Sequence, residues 1–96
     1  MPTLFIHAGL RFFFVMFDLL NEPFHVHIGD RGKRLCKYWI FADGSFELAD
    51  NSGFRQRELN DVETTLTEQM RSIQEAYGTY CAANSISLNY KTKRNV

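Results

Sequence analysis

The stretch QRELNDVETTLTEQMRSIQEAYGTYCA, residues 56–82, decides the fold class. Leu59, Val62, Leu66, Met70, Ile73, Tyr77 and Tyr80 recur at spacings of three or four and so share one stripe of a helix, while Arg57, Asp61, Glu68, Arg71 and Glu75 take the opposite side. Thr64, Thr65 and Thr67 lower the intrinsic stability of that helix, and Gly78 costs it roughly 1 kcal/mol against alanine. Packing of the apolar stripe therefore has to hold it. Asn84 is a natural stop, and residues 85–96, with Lys91, Lys93 and Arg94, read as a polar, flexible tail to a single α+β domain over residues 1–84.

Upstream of the helix the periodicity is that of strands. Leu4 to Ile6 and Arg11 to Phe17 are β-rich runs separated by His7, Ala8, Gly9 and Leu10, a length and a glycine that suit a hairpin. The apolar residues Phe12 to Phe17 are too few to cross a bilayer, which needs about 20, and are expected to form a strand buried on both faces or at a dimer interface. After Asn21, Glu22 and Pro23, further strands are expected over Phe24 to Ile28, Leu35 to Phe41 and Phe46 to Ala49. Gly29-Asp30-Arg31-Gly32 and Asp43-Gly44 form the turns between them. The expected architecture is an antiparallel meander of about five strands packed by one long C-terminal amphipathic helix.

Composition limits the functional classes. Eleven basic and eleven acidic residues cancel, so no global field draws the chain to nucleic acid or an anionic membrane. Arg31, Lys33, Arg34 and Lys37 nevertheless form a local basic patch beside Tyr38 and Trp39. Cys36 and Cys81 match no metal-ligand or redox spacing and fit reduced thiols in a cytoplasmic protein. Arg11 and Asp18 interrupt the only stretch that resembles a signal sequence. No phosphate loop, nucleophile elbow or zinc-protease helix occurs, and no cofactor is implied.

His25 and His27 are the sharpest chemical feature. Two residues apart on a strand, their side chains leave the same face about 7 Å apart. Imidazoles so placed supply general acid and base, an anion contact, or part of a metal site. If Ile28 pairs with Lys33, His27 faces Arg34 and His25 faces Cys36; a turn one residue longer brings Leu35 and Lys37 instead. Either register places a cation nearby, which favours an anionic ligand over a divalent metal. His7 is expected in a turn, and Glu47, Asp50 and Asn51 are expected as solvated turn residues. Trp39 is expected to pack in the core by default, with Tyr38 on the other face of its strand.

In order along the chain, Arg11-Phe12-Phe13-Phe14, Glu22-Pro23-Phe24-His25-Val26-His27-Ile28, Lys37-Tyr38-Trp39-Ile40, and Gly53-Phe54 with Arg57-Glu58-Leu59 resemble the prokaryotic domain-of-unknown-function 4160 family over roughly residues 1 to 82. The family pattern falls on Pro23, His25, His27, Lys37, Trp39, Gly53 and Phe54, and Lys37 favours the longer-turn register. Three positions depart from it. Phe24 replaces a second proline, Arg55 stands where a serine could cap the helix in a box with Glu58, and Met16 to Leu20 is unusually apolar. The resemblance implies a bacterial cytoplasmic protein encoded beside another small domain, in a toxin–antitoxin-like pair.

The resulting expectation is an interaction domain with a neighbouring gene's small protein, or a homodimer, as partner. His25, His27 and Lys37 would be its reactive residues, and Arg31, Lys33, Arg34 and Trp39 would contact RNA or another anion. The first alternative is a metal-independent endoribonuclease toxin using His25 and His27 as acid and base, with Arg34 or Lys37 stabilising the phosphorane. The second is a metal-binding domain using both histidines with His7 or an acid.

Overall fold

The computed structural model describes residues 3–93. Five strands form one antiparallel sheet in sequence order: β1 (Thr3–His7), β2 (Leu10–Phe13), β3 (His25–Gly29), β4 (Leu35–Ile40) and β5 (Phe46–Ser52). A short helix α1 (Met16–Asn21) joins β2 to β3, and the long helix α2 (Gln56–Ala83) follows β5. The α+β meander and its C-terminal helix are thus the arrangement read from the two periodicities. Among the described residues, no helix is long and apolar enough to cross a membrane.

Alternation along the strands divides the sheet into two faces. Phe12, Val26, Ile28, Cys36, Tyr38 and Ile40 are buried in one core with Leu59, Val62, Leu66, Ile73 and Tyr77 of α2. The Phe24 ring stacks on Tyr77 with centroids 3.9 Å apart. Tyr38 donates from its hydroxyl to Glu63 Oε2 of α2 at 2.8 Å, which satisfies the polar end of a fully buried side chain. Core duty in β4 therefore falls to Tyr38, whereas Trp39, expected there by default, is half-buried on the other face beside His25.

Two other expectations are corrected. Phe12 to Phe17 is not one strand: β2 ends at Phe13 and the backbone turns into α1 at Met16. Apolar residues alone do not distinguish a short strand from a helical turn, and in α1 the amide of Leu19 donates to Val15 O at 3.2 Å while that of Glu22 donates to Asp18 O at 2.7 Å. Pro23 then prevents the helix from continuing.

The β3–β4 register is also neither of the two expected. Ile28 pairs with Cys36, His27 with Lys37 and His25 with Trp39. The connection is longer because Asp30 builds it, accepting at Oδ1 from the amides of Gly32, Lys33 and Arg34 at 3.1, 3.0 and 3.0 Å.

The start of α2 shows why glycine precedes Phe54. Gly53 has φ +93°, and a Cβ there would lie 3.0 Å from both Lys33 O and Arg34 Cγ. At the next residue but one, the Arg55 amide donates to Glu58 Oε1 at 2.9 Å, so the glutamate half of a capping box survives although arginine offers no acceptor for the other half.

Beyond α2 the chain returns across the domain. The Phe24 amide donates to Asn89 O at 2.7 Å, and the Asn89 amide donates to the Tyr77 hydroxyl at 2.8 Å. The last three residues of the expected tail, and Arg94 with them, lie outside the described residues.

Gly53→Ala is expected to lower stability by more than about 1 kcal/mol, since it combines a left-handed backbone with a backbone clash. Urea unfolding measures this, and a midpoint equal to wild type would contradict the assignment.

Candidate functional site

The face of the sheet opposite α2 carries the two histidines. Val26 and Ile28 enter the core, so His25 and His27 must emerge on the other side. A third residue meets them from α1. Adjacent positions on a helix point about 100° apart, which lets Leu19 enter the core while Asp18 turns to the imidazoles. Asp18 Oδ2 lies 3.2 Å from His25 Nε2 and 3.1 Å from His27 Nε2.

The hydrogen bonding of His25 restricts what this contact can be. Its Nδ1 lies 2.9 Å from Pro23 O, and a carbonyl only accepts, so Nδ1 carries the proton. In the neutral ring Nε2 is then a bare lone pair, and it points at a carboxylate oxygen. Two lone pairs held at that distance need a proton or a cation between them. His25 is fully buried, so the group that meets Nε2 is the Asp18 carboxylate.

Aromatic packing fixes both rings. Phe13 stacks on His27 at 5.3 Å between centroids, the two imidazoles meet nearly edge to face at 5.0 Å, and His25 meets Trp39 in the same way at 5.3 Å. Burial is the main cause lowering the His27 pKa; the Asp18 hydrogen bond opposes it, and the charges of His25 and Lys37 add to the lowering. Burial tends to raise the Asp18 pKa, but hydrogen bonds from His27 and His25 outweigh it and hold the carboxyl below its ordinary value.

Of the cations expected to surround the histidines, Lys37 alone reaches them, as the cross-strand partner of His27. Its ammonium donates to Glu22 Oε1 at 2.8 Å and lies 4.5 Å from the centre of the Trp39 ring. Arg34 instead donates to Asp30 Oδ2 at 2.8 Å and to Glu58 Oε2, and covers the Phe54 ring. Arg31 and Lys33 are exposed at the turn. The basic patch of the sequence is thus divided between two places, with Arg34 and Lys37 each paired to carboxylates. His7 lies away from the pair, lining a cleft with Asp61, Val62 and Glu68 beside α2. Glu47, Asp50 and Asn51 are exposed along β5.

The residues missed in the sequence are Asp18 and Glu22. A signal for Asp18 existed: it is the only charge in Phe12 to Leu20, and a carboxylate amid core residues must find partners.

Fold and site together define an α+β domain with a single-sheet meander, one face buried by a helix and the other bearing an imidazole–carboxylate cluster. The chain belongs to the family described as Domain of unknown function (DUF4160), whose model matches residues 9–77. Neither the curated proteins nor the solved structures contain a match.

The turn that sets the register also supplies an acid-sensitive element. A hydrogen bond from the Arg34 side chain, then those from the amides of Arg34, Lys33 and Gly32, hold the Asp30 carboxyl well below the usual carboxylate range. A folded pKa below the unfolded one adds stability that is present above about pH 4 and lost as pH falls toward the folded value. Asp30→Ala is therefore expected to lower the urea midpoint at neutral pH, with the gap to wild type closing as pH falls below about 4. A gap that is constant with pH would contradict this.

Proposed function

We propose that this domain binds one divalent first-row transition-metal ion through His25 Nε2, His27 Nε2 and Asp18 Oδ2. The observation that carries the reading is the convergence of these three atoms, all within 4.8 Å of one another, while Nδ1 of His25 is pinned to a backbone carbonyl. A histidine that ligates through one nitrogen typically donates from the other to a carbonyl or carboxylate, which fixes the tautomer. The two nitrogen–oxygen spacings fit as well. Ligand atoms about 2.0–2.1 Å from a metal lie about 3.3 Å apart in a tetrahedron and about 2.9 Å apart in an octahedron, and the two nitrogen–oxygen edges are 3.2 and 3.1 Å.

Two imidazoles and one carboxylate suit zinc, iron(II) or cobalt(II), and three protein ligands leave positions open to water or a second ligand. This ranks metal above the anion contact expected from the sequence, because the group between the histidines is a carboxylate and Lys37 is already paired. It also ranks metal above an acid–base pair acting on RNA, since buried His25 cannot meet a substrate.

Residence in a bacterial cytoplasm, in a toxin–antitoxin-like pair with a neighbouring gene's product, belongs to the same proposal. It is supported by the family resemblance and by two buried free thiols, which suit a reducing compartment.

The test is calorimetric titration of chelator-treated, tag-free protein with zinc and cobalt(II), with metal content determined in parallel. One equivalent is expected to bind, and Asp18→Ala, His27→Ala and His25→Ala are each expected to weaken binding by at least about tenfold, the loss that outer-shell changes alone can cause. Circular dichroism checks that each variant is folded. Failure to bind either ion, or undiminished affinity in folded Asp18→Ala, would contradict the reading. RNA cleavage that survives chelation and vanishes in His27→Ala would favour the ribonuclease instead.

A further inference from the structure

The groups beside the proposed metal position point to a second ligand. Lys37 rises from the same sheet face as the histidines. Its ammonium and that of Lys91, from the chain beyond α2, lie 4.5 and 4.7 Å from the centre of the Trp39 ring. Trp39 in turn packs edge-on to His25 at 5.3 Å. One indole thus carries two ammonium groups, and the Glu22 carboxylate accepts from Lys37 at 2.8 Å.

Without metal, Lys37 and Lys91 stand against Asp18 and Glu22, with exposed Asp50 and Glu47 of β5 opposite Lys37 and Trp39. A divalent ion held by neutral imidazoles and Asp18 adds two positive charges next to Lys37, in a place only partly open to solvent. Positive charge concentrated at the ion and Lys37 favours an incoming anion there. Glu22 is also the residue best able to make room. It caps the end of α1 just before Pro23, its side chain is 39% exposed, and among the described residues its carboxylate pairs with Lys37.

We propose that the metal-bound domain takes a small oxyanion, a carboxylate or a phosphate monoester, which fills an open coordination position through one oxygen and displaces Glu22 from Lys37 with another. Glu22 is the internal stand-in for that ligand. The inference rests on the metal reading and adds to it the class of ligand and the residue that selects it. Lysine is suited to the task as a point charge that accepts either oxyanion, whereas a bidentate arginine would demand one geometry.

Cobalt(II) separates the two levels, because its visible absorption reports coordination directly. Full-length protein loaded with cobalt(II) is titrated with acetate and, in a separate arm, with methyl phosphate; the arm that responds identifies the source of the oxyanion. A saturable change in the cobalt spectrum is expected. Lys37→Met is expected to weaken the anion by about tenfold or more, the value of a charge-assisted hydrogen bond, while one equivalent of cobalt still binds. Glu22→Gln, at an exposed side chain, is expected to tighten the anion and so provides a second variant should Lys37→Met fold poorly. A cobalt spectrum indifferent to both anions, or a response equal in wild type and both variants, would overturn the oxyanion subsite and leave the metal site standing. Absence of cobalt binding would overturn both.

Discussion

One carboxylate oxygen shared by two imidazoles is the constraint around which this face of the domain is arranged. His25 is fully buried, so its polar ring could not be tolerated without partners on both nitrogens. Pro23 supplies one and Asp18 the other. Each partner depends on a local feature: Pro23 stops α1 and sets the entry to β3, and α1 turns Asp18 inward while Leu19 goes to the core. Among the described residues, no buried side-chain nitrogen or oxygen lacks a partner. That satisfaction requires a proton or a cation between His25 and Asp18, and this requirement links packing to function.

Much of the architecture was legible because its periods are long or repeated. Seven apolar residues at helical spacing marked α2, and turn residues between β-rich runs marked the meander. The shared face of His25 and His27 was equally legible, since strand alternation allows nothing else. The failures lie where local rules give no unique answer. Phe12 to Phe17 is apolar throughout, and such a run fits a strand or a helical turn until the next elements are placed. The β3–β4 register depended on the length of a turn that Asp30 organises through three amides, a count that composition does not reveal. Missing α1 meant missing Asp18, and without Asp18 the chemistry of the pair was misjudged: the nearest charge was taken to be a cation when it is an anion.

This change of sign reorganises the functional reading. A histidine pair beside lysine and arginine suits phosphate, but a histidine pair around a carboxylate suits a metal ion. The cations are still present, displaced by one shell. Lys37 and Lys91 lie over Trp39 and Arg34 belongs to the turn and the start of α2. The matched family region, residues 9–77, contains Asp18, Glu22, His25, His27, Lys37 and Trp39, whereas Lys91 lies outside it. The three proposed metal ligands and the lysine–glutamate pair therefore lie within the family domain, and the additional cation comes from the segment that packs back onto it.

The central claim is that His25 and His27 both present Nε2 to one cation, and long-range nitrogen–proton NMR spectra of the imidazoles test it most directly. On addition of one equivalent of zinc, both rings are predicted to keep a proton on Nδ1 and to show a metal-shifted Nε2. Rings whose nitrogen resonances ignore zinc, or a metal shift at Nδ1 of His25, would contradict the account.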